Sequence, residues 1–441
     1  LAKEPRQTAF DILFAWERDP GLPIDEILGR ILNKRTHSSE EKRWIMELVY
    51  GATRQQLQLD AYISRHYKGQ YQKAQHALKV LLRMGCFQLI HMQTPDHAAI
   101  NEMVNLARKV KMQRSAGLIN AILRQVSKQS LEALLSDIED PIQQLAIKHS
   151  HPQWMLRRWQ ERYPLDTIQL LCQRNNQSPD QWIRRNALSV DQKDFEHFLE
   201  GEKMVYEHSA VLPEFYRLEQ IGTLIHTPEF KSGWFSFQDL AAGMVAALLE
   251  PHSGDLIIDA CAAPGGKMAY LAELGRNQIE IVACDASPKR LEKVLGNIER
   301  LHLQKIQTLT LDAAVDALPV ADKILLDVPC TGTGVLSRRP DSRWRKQEGD
   351  LLKLNQIQQG ILINSWKSLK AGGLLVYATC SLEPEENWDL IEMSLEQLEG
   401  SDIEPIDAEN LKPYIDARGA LSTLPWAHKM DGMFAVKIRK K

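Results

Sequence analysis

Apolar residues recur at three- and four-residue spacing through the first 140 positions. In "LAKEPRQTAFDILFAWERD", Ala9, Ile12, Leu13 and Trp16 fall on one helical face. The same period runs through "WIMELVYGATRQQLQLDAYI", "ALKVLLRMGCFQLIHM" and "AAINEMVNLARKV". The last of these has a predicted start, with Thr94 as N-cap, Pro95 at the first helical position and Asp96 in the first turn. Residues 1–140 are therefore expected to form an all-α bundle. Residues 145–235 are mixed. "HPQWMLRRWQERYP" reads as a helix bounded by prolines, "QWIRRNAL" as a strand and "DQKDFEHFLEGE" as a helix, which predicts a small α+β linking module.

From residue 236 to 441 the pattern alternates. Short apolar runs, "DLIIDA" (255–260), "IEIVACDA" (279–286), "IQTLTLDA" (306–313), "KILLDVPC" (323–330) and "GLLVYATCS" (373–381), are separated by helical stretches. One predicted helix runs from Lys267 to Leu274. Another follows Ser287 as N-cap and Pro288 at its first position. A third, 350–370, places Leu351, Leu354, Ile357, Ile361 and Leu369 on its apolar side. Such alternation predicts a mostly parallel, doubly wound, Rossmann-like α/β sheet with helices on both faces. Ligands then sit at the carboxyl ends of the strands.

Composition agrees with two or three soluble domains in 441 residues, 44% apolar and 25% charged. No apolar run approaches the roughly 18 residues that span a bilayer. The amphipathic N-terminus does not read as a secretory signal. Six cysteines, at 86, 172, 261, 284, 330 and 380, are scattered without a Cys-x-x-Cys pair. That argues against zinc or a disulfide framework and for a reducing, cytoplasmic setting. The net charge of −3 hides a basic stretch: residues 51–130 carry 12 Lys/Arg against 3 Asp/Glu, a net of +9. Such a field suits nucleic-acid contact as well as a solvated face.

Candidate chemistry lies at the predicted strand ends. In "DACAAPGGKMAYL" (259–271), Gly265 and Gly266 let backbone approach a ligand, and the following helix offers unpaired N–H groups to an anion. The spacing is neither G-x-G-x-x-G nor a P-loop. Asp285, 19 residues beyond Gly266, suits ribose hydroxyls, and Asp312 an adenine amino group. A nucleoside with a small anionic end, such as S-adenosyl-L-methionine, fits this layout. Cys330 and Cys380 follow neighbouring predicted strands, so both thiols can face one cleft beside Asp327. Methylation at carbon 5 of a pyrimidine uses such a set. A thiolate adds to C6, C5 gains enamine character, and an acid such as Asp327 steadies the ring. The attacking thiol needs a cationic neighbour to ionise, for which Lys267 is the candidate.

These stretches carry a resemblance. "DACAAPGGK", "ADKILLDVPCTGTG" and "YATCSLEPEEN" are similar to signatures of the RNA cytosine-5 methyltransferases of the NOL1/NOP2/Sun family. "PDHAAINEMVNLARK" and "GLINAILRQ" resemble a NusB-like helical domain. "GWFSFQDLAAGMVAALL" and "DGMFAVKI" resemble the start and closing strand of the family's catalytic domain. The resemblance runs nearly end to end and is to bacterial members acting on 16S ribosomal RNA. It implies Cys380 as the nucleophile, Cys330 as the residue aiding product release, and Asp327 at the base. It implies cofactor contacts from Cys261, Ala262, Ala263, Pro264, Gly265, Gly266, Lys267, Asp285, Asp312 and Asp327. Departures include Met268 in place of a usual threonine and the hydroxyl-poor "QDLAA", which bear on cofactor affinity.

The segment "SRRPDSRWRK" (337–346) follows the Pro-Cys loop. Arg338, Arg339, Arg343 and Arg345 are candidates for phosphates, and Trp344 for stacking on a base. A target cytosine must leave its stack to reach the cleft. A monomer with no metal and no membrane contact is expected. Two other readings stay open: an RNA-binding protein with an inactive methyltransferase domain, and DNA cytosine-5 methylation with the Pro-Cys thiol attacking.

Overall fold

The computed structural model describes residues 4–221 and 224–441. The chain divides into two compact units, Leu1–Gln177 with Leu336–Glu348, and Ser178–Val335 with Gly349–Lys441.

The first unit is helical. Helices Pro5–Arg18, Ser39–Arg54, Gln56–His66, His76–Ile90, Asp96–Lys109 and Ala116–Val126 enclose a core that includes Ile12, Trp16, Ile45, Leu48, Leu81, Met103 and Leu123. Their amphipathic stripes place these residues inward, as the spacing predicts. Helix Ser39–Arg54 begins with a capping box between Ser38 and Glu41. It packs closely enough on helix His76–Ile90 that a Cβ at Gly51 would lie 2.0 Å from the Phe87 ring. Arg83 is buried between Asp60, which takes both arms of its fork at 2.6 and 2.7 Å, and Glu17 at 2.5 Å.

One expectation changes here. Thr94 does not cap its helix: the helix starts at Asp96, with Pro95 in the cap position and no side-chain cap. The Thr94 N–H instead donates to the Gln88 carbonyl. Helices Pro141–His149, Gln153–Gln160 and Leu165–Asn176 belong to this same unit. They are tied to it because the Leu57 N–H donates to Ser150 Oγ (2.9 Å) and Gln58 Nε2 donates to the Lys148 carbonyl (2.8 Å).

The second unit holds two sheets. The smaller is antiparallel, built from β1 (Gln181–Arg185), β2 (Tyr206–His208), β3 (Phe215–Leu218) and β4 (Phe235–Phe237) in the order β2-β3-β1-β4. Helix Gln192–Gly201, capped by Asp191, packs Phe195 and Leu199 against Tyr216 and Phe235.

The larger sheet comprises β5 (Leu256–Asp259), β6 (Glu280–Asp285), β7 (Ile306–Thr310), β8 (Ala321–Asp327), β9 (Leu369–Thr379), β10 (Ser401–Glu404), β11 (Leu421–Ser422) and β12 (Phe434–Lys440). Its order is β10-β12-β9-β8-β5-β6-β7, with β11 also pairing β12. Strands β9, β8, β5, β6 and β7 run parallel, while β12 and β10 reverse direction. Alternate residues feed two cores. Ile257, Ile281, Leu325 and Val376 face one side, and Ile258, Val282, Ile324 and Leu375 the other. Ser287 and Pro288 start helix Pro288–Arg300 as expected. Ile357 departs from the predicted apolar side of helix Asp350–Ser368 and stands 44% exposed.

A buried ion pair joins the smaller sheet of this unit to the helix Gly266–Leu274. Arg184 on β1 donates through Nε and Nη2 to Glu273 at 2.8 and 2.7 Å, with the two side chains 0% and 3% exposed. Its guanidinium also lies over the Tyr270 ring. Truncating one member strands the other charge, which typically costs about 3–5 kcal/mol. We therefore expect Arg184→Ala to lower the denaturant midpoint sharply, and the double change Arg184→Met with Glu273→Met to restore most of it. Equal losses in the two variants would refute this account.

Candidate active site

The site begins with a strand pairing. β8 and β9 lie side by side and parallel, with Leu325 beside Val376 and Asp327 beside Ala378. Both strands therefore end at the same level, and each runs into a loop bearing a cysteine. The Cys330 and Cys380 thiols stand 3.2 Å apart, and neither is in a disulfide. Cys330 is raised well above the ordinary thiol range, first by its hydrogen bond with Cys380, then by burial and by the nearby charges of Cys380 and Glu386. It remains a thiol at neutral pH and can donate to its neighbour.

Beside the thiols, Lys267 Nζ donates to Asp327 Oδ2 at 2.7 Å. Burial pulls the Lys267 ammonium toward neutrality, but Asp327, Cys380 and Asp259 outweigh it and the pKa is raised. Lys267 thus stays charged, with Cys380 within its field. Asp259, at the end of β5, was not among the sequence candidates. It is 1% exposed, and its Oδ1 has no partner among the described residues. Burial first, then Asp327, push its pKa from 3.8 to about 7. Cys261 is also pushed well above its usual range, by burial and by Asp259, Asp327 and Asp285.

The glycine loop is held by its carbonyls. Gly265 has φ +104°, a left-handed conformation that favours glycine. The carbonyl of Ala263 accepts from Arg290 (2.7 Å), that of Pro264 from Asn297 (3.0 Å) and that of Gly266 from Arg184 (3.2 Å). Helix Gly266–Leu274 then presents its first N–H groups, which have no intrahelical acceptor. Asp285 is 3% exposed at the end of β6, accepting the Ser287 N–H and lying 3.3 Å from Arg290. Asp312 differs from expectation. β7 stops at Thr310, and Asp312 is exposed in the following turn, where it accepts the Ala314 N–H at 3.0 Å.

In "QDLAA", Asp239 caps the next helix through the Ala241 N–H. Gln238 is 9% exposed, both polar atoms of its amide lack partners, and it is the nearest side chain to where a Gly266 Cβ would point, at 3.9 Å. Sequence reasoning passed over Gln238 because an orphaned amide is a property of packing. Met268 is fully buried among apolar residues.

In the segment expected to grip RNA, two side chains are turned inward. Residues 336–348 belong to the helical unit. Arg343 is 0% exposed and donates to the carbonyls of Ser150 (3.0 Å) and Asn175 (3.1 Å) and to the Asn176 side chain (2.9 Å). Burial lowers its pKa to about 9. Trp344 Nε1 donates to the Thr53 carbonyl at 2.7 Å, and the ring packs on the helical core. In this structure both are internal struts, because buried carbonyls and apolar side chains take the groups that phosphate and base would use. Arg345 pairs with Asp341 at 3.1 Å, Arg338 is half-buried and Arg339 is exposed. Among the described residues no cluster of potential metal ligands forms, and no helix is long and apolar enough to cross a membrane.

Comparison with known proteins matches three family models along the chain. A family model described as 16S rRNA methyltransferase RsmB/F matches residues 246–439. A NusB family model matches 3–128, and a ferredoxin-like domain of RsmF/B-like methyltransferases matches 151–224. Ribosomal RNA small subunit methyltransferase B of Escherichia fergusonii is 34% identical over 96% of both chains. A solved structure 22% identical covers 100% of both chains with a TM-score of 0.85, a likeness of fold. A methyltransferase homolog protein from Pyrococcus horikoshii is 26% identical, covering 68% of this chain and 100% of its own, with a TM-score of 0.60.

Two outcomes are expected. Native Asp259 keeps a proton that the unfolded carboxylate loses, so stability falls as pH rises from 3.8 toward 7. Asp259→Asn cannot ionise, so its melting temperature should gain on the parent between about pH 5 and 8; parallel curves would contradict the assignment. Arg343→Ala should lower the melting temperature of the protein while leaving the salt dependence of RNA binding unchanged. A reduced salt slope would return Arg343 to the phosphate contacts.

Proposed function

Because the chain belongs to the 16S rRNA methyltransferase RsmB/F family, we propose that it methylates carbon 5 of a cytosine in 16S ribosomal RNA through a covalent Cys380 adduct. The observation that carries this reading is the pair of thiols 3.2 Å apart beside the Lys267–Asp327 ion pair. A single buried cysteine is an ordinary core residue. Two at adjacent strand ends, next to a charged lysine, are arranged for thiolate chemistry.

The residues of the loop fit S-adenosylmethionine. The unpaired N–H groups at the start of helix Gly266–Leu274 and the orphaned Gln238 amide suit its amino-acid end. Asp285 suits its ribose hydroxyls. Asp312, exposed in the turn after β7, suits the adenine amino group. When bound, the cofactor supplies a sulfonium methyl group.

The protein's own groups do the rest. Cys380 attacks as a thiolate with the Lys267 ammonium as its cationic neighbour. The thiolate adds to C6, and the electron pair of the C5–C6 double bond becomes available at C5. Asp327, fixed by Lys267, holds the cytosine edge. After C5 has taken the methyl group it gives its proton to solvent water, the C5–H electron pair re-forms the double bond and the Cys380 sulfur departs as thiolate. The Cys330 S–H, kept protonated by its surroundings, donates to that departing sulfur and so favours release. The helical unit supplies non-specific grip through exposed Lys68, Lys73, Arg108, Lys111, Arg114, Arg124 and Lys128.

The test is to incubate Cys330→Ala and Cys380→Ala with 16S rRNA and cofactor and to look for a protein–RNA species on a denaturing gel. The adduct should accumulate in Cys330→Ala and be absent from Cys380→Ala. The reverse pattern would exchange the two roles. Absence of both adduct and methylation in every protein, parent included, would favour an inactive RNA-binding module.

A further inference from the structure

We propose that Glu386 is a positioning residue for product release, holding the Cys330 loop so that its thiol faces the Cys380 sulfur; this role rests on the covalent reading above. Glu386 is fully buried at the end of the turn Pro384–Glu386. Its Oε1 accepts the Thr331 N–H at 2.9 Å and Gln358 Nε2 at 2.9 Å, and its Oε2 accepts the Thr331 hydroxyl. Gln358 Nε2 also donates to the Pro329 carbonyl at 2.9 Å. The residues before and after Cys330 are thus both anchored to one carboxylate–amide pair. The clamp reaches the other cysteine as well: Thr331 Oγ1 lies 3.0 Å from Ser381 Oγ, next in sequence to Cys380.

This arrangement suits a carboxylate. Its two oxygens accept from the N–H and O–H of the same residue, whereas a glutamine there would have to donate its NH2 to the Thr331 hydroxyl and reverse that bond. Among the described residues, no lysine or arginine pairs with Glu386, so hydrogen bonds alone offset the cost of burying its charge. That charge also helps keep Cys330 a thiol. A shift of the loop would separate donor from departing sulfur without touching the cofactor loop. It would slow the breakdown of the adduct rather than its formation.

The experiment uses the full chain with 16S rRNA and S-adenosylmethionine and compares the parent, Cys330→Ala, Glu386→Gln and Thr331→Val. Thr331→Val removes the shared hydroxyl with little change of shape, so it carries the test if Glu386→Gln fails to fold. For both variants we expect kcat to fall by about 10-fold or more, KM for the cofactor to stay within about twofold, and trapped adduct to rise toward the Cys330→Ala level. A fall in kcat with no rise in adduct would overturn this role and leave Glu386 a structural residue. No adduct in Cys330→Ala would instead overturn the covalent reading, and the role of Glu386 with it.

Discussion

The site depends on the parallel pairing of β8 and β9. Side-chain direction in a strand has a period of two, so the register with Asp327 beside Ala378 decides which residues leave the two strand ends together. A slip of one residue would turn one set of side chains to the opposite face. Apolar residues buried on both faces, Leu325 and Val376 on one side and Ile324 and Leu375 on the other, oppose such a slip. The 3.2 Å between two thiols 50 residues apart is a consequence of that register. The polar ties between the loops, through Thr331, Ser381 and Glu386, refine it.

Charge in a dry place is the second constraint. Lys267, Asp327 and Asp259 bring one cation and two carboxyls to neighbouring strand ends. Burial disfavours every ion there. The molecule responds by raising the Asp259 pKa to about 7 and pairing Lys267 with Asp327. The ammonium of that pair lies within the field of Cys380, a cationic neighbour of the kind thiolate chemistry uses. The neutral Cys261 thiol follows from burial and the same acids, whereas Cys330 is kept neutral by its hydrogen bond with Cys380, by burial and by Glu386.

Within each unit, arginines do more structural than binding work. Arg184 ties β1 to the helix that starts at the cofactor loop, and it also holds the Gly266 carbonyl. Arg343, from a short return of the chain into the helical unit, satisfies carbonyls around residues 150 and 175. A planar guanidinium with several donors suits either phosphate or converging backbone carbonyls. Sequence pattern does not distinguish the two.

Much of the fold was legible because it follows from periodicity. The helical bundle, the small module around "QWIRRNAL" and the alternating strands all appear where apolar spacing places them. So do Ser287 and Pro288 at a helix start, and Cys330 and Cys380 at neighbouring strand ends. These are local properties: a helix stripe, a strand run or a cap is decided by residues a few positions apart. What lay beyond the sequence was non-local. Thr94 is drawn from its cap, Asp312 falls past its strand, and Arg343 and Trp344 are taken by distant carbonyls. Asp259 and Gln238 are left with unpaired polar atoms, and Glu386 clamps two loops. Each outcome depends on which groups meet after chain segments tens to hundreds of residues apart come together. Burial and hydrogen-bond partners are set at that stage, so the two cysteines and the glycine loop could be picked out in the sequence, while the remaining polar groups around them, their geometry and their protonation were decided by the tertiary structure.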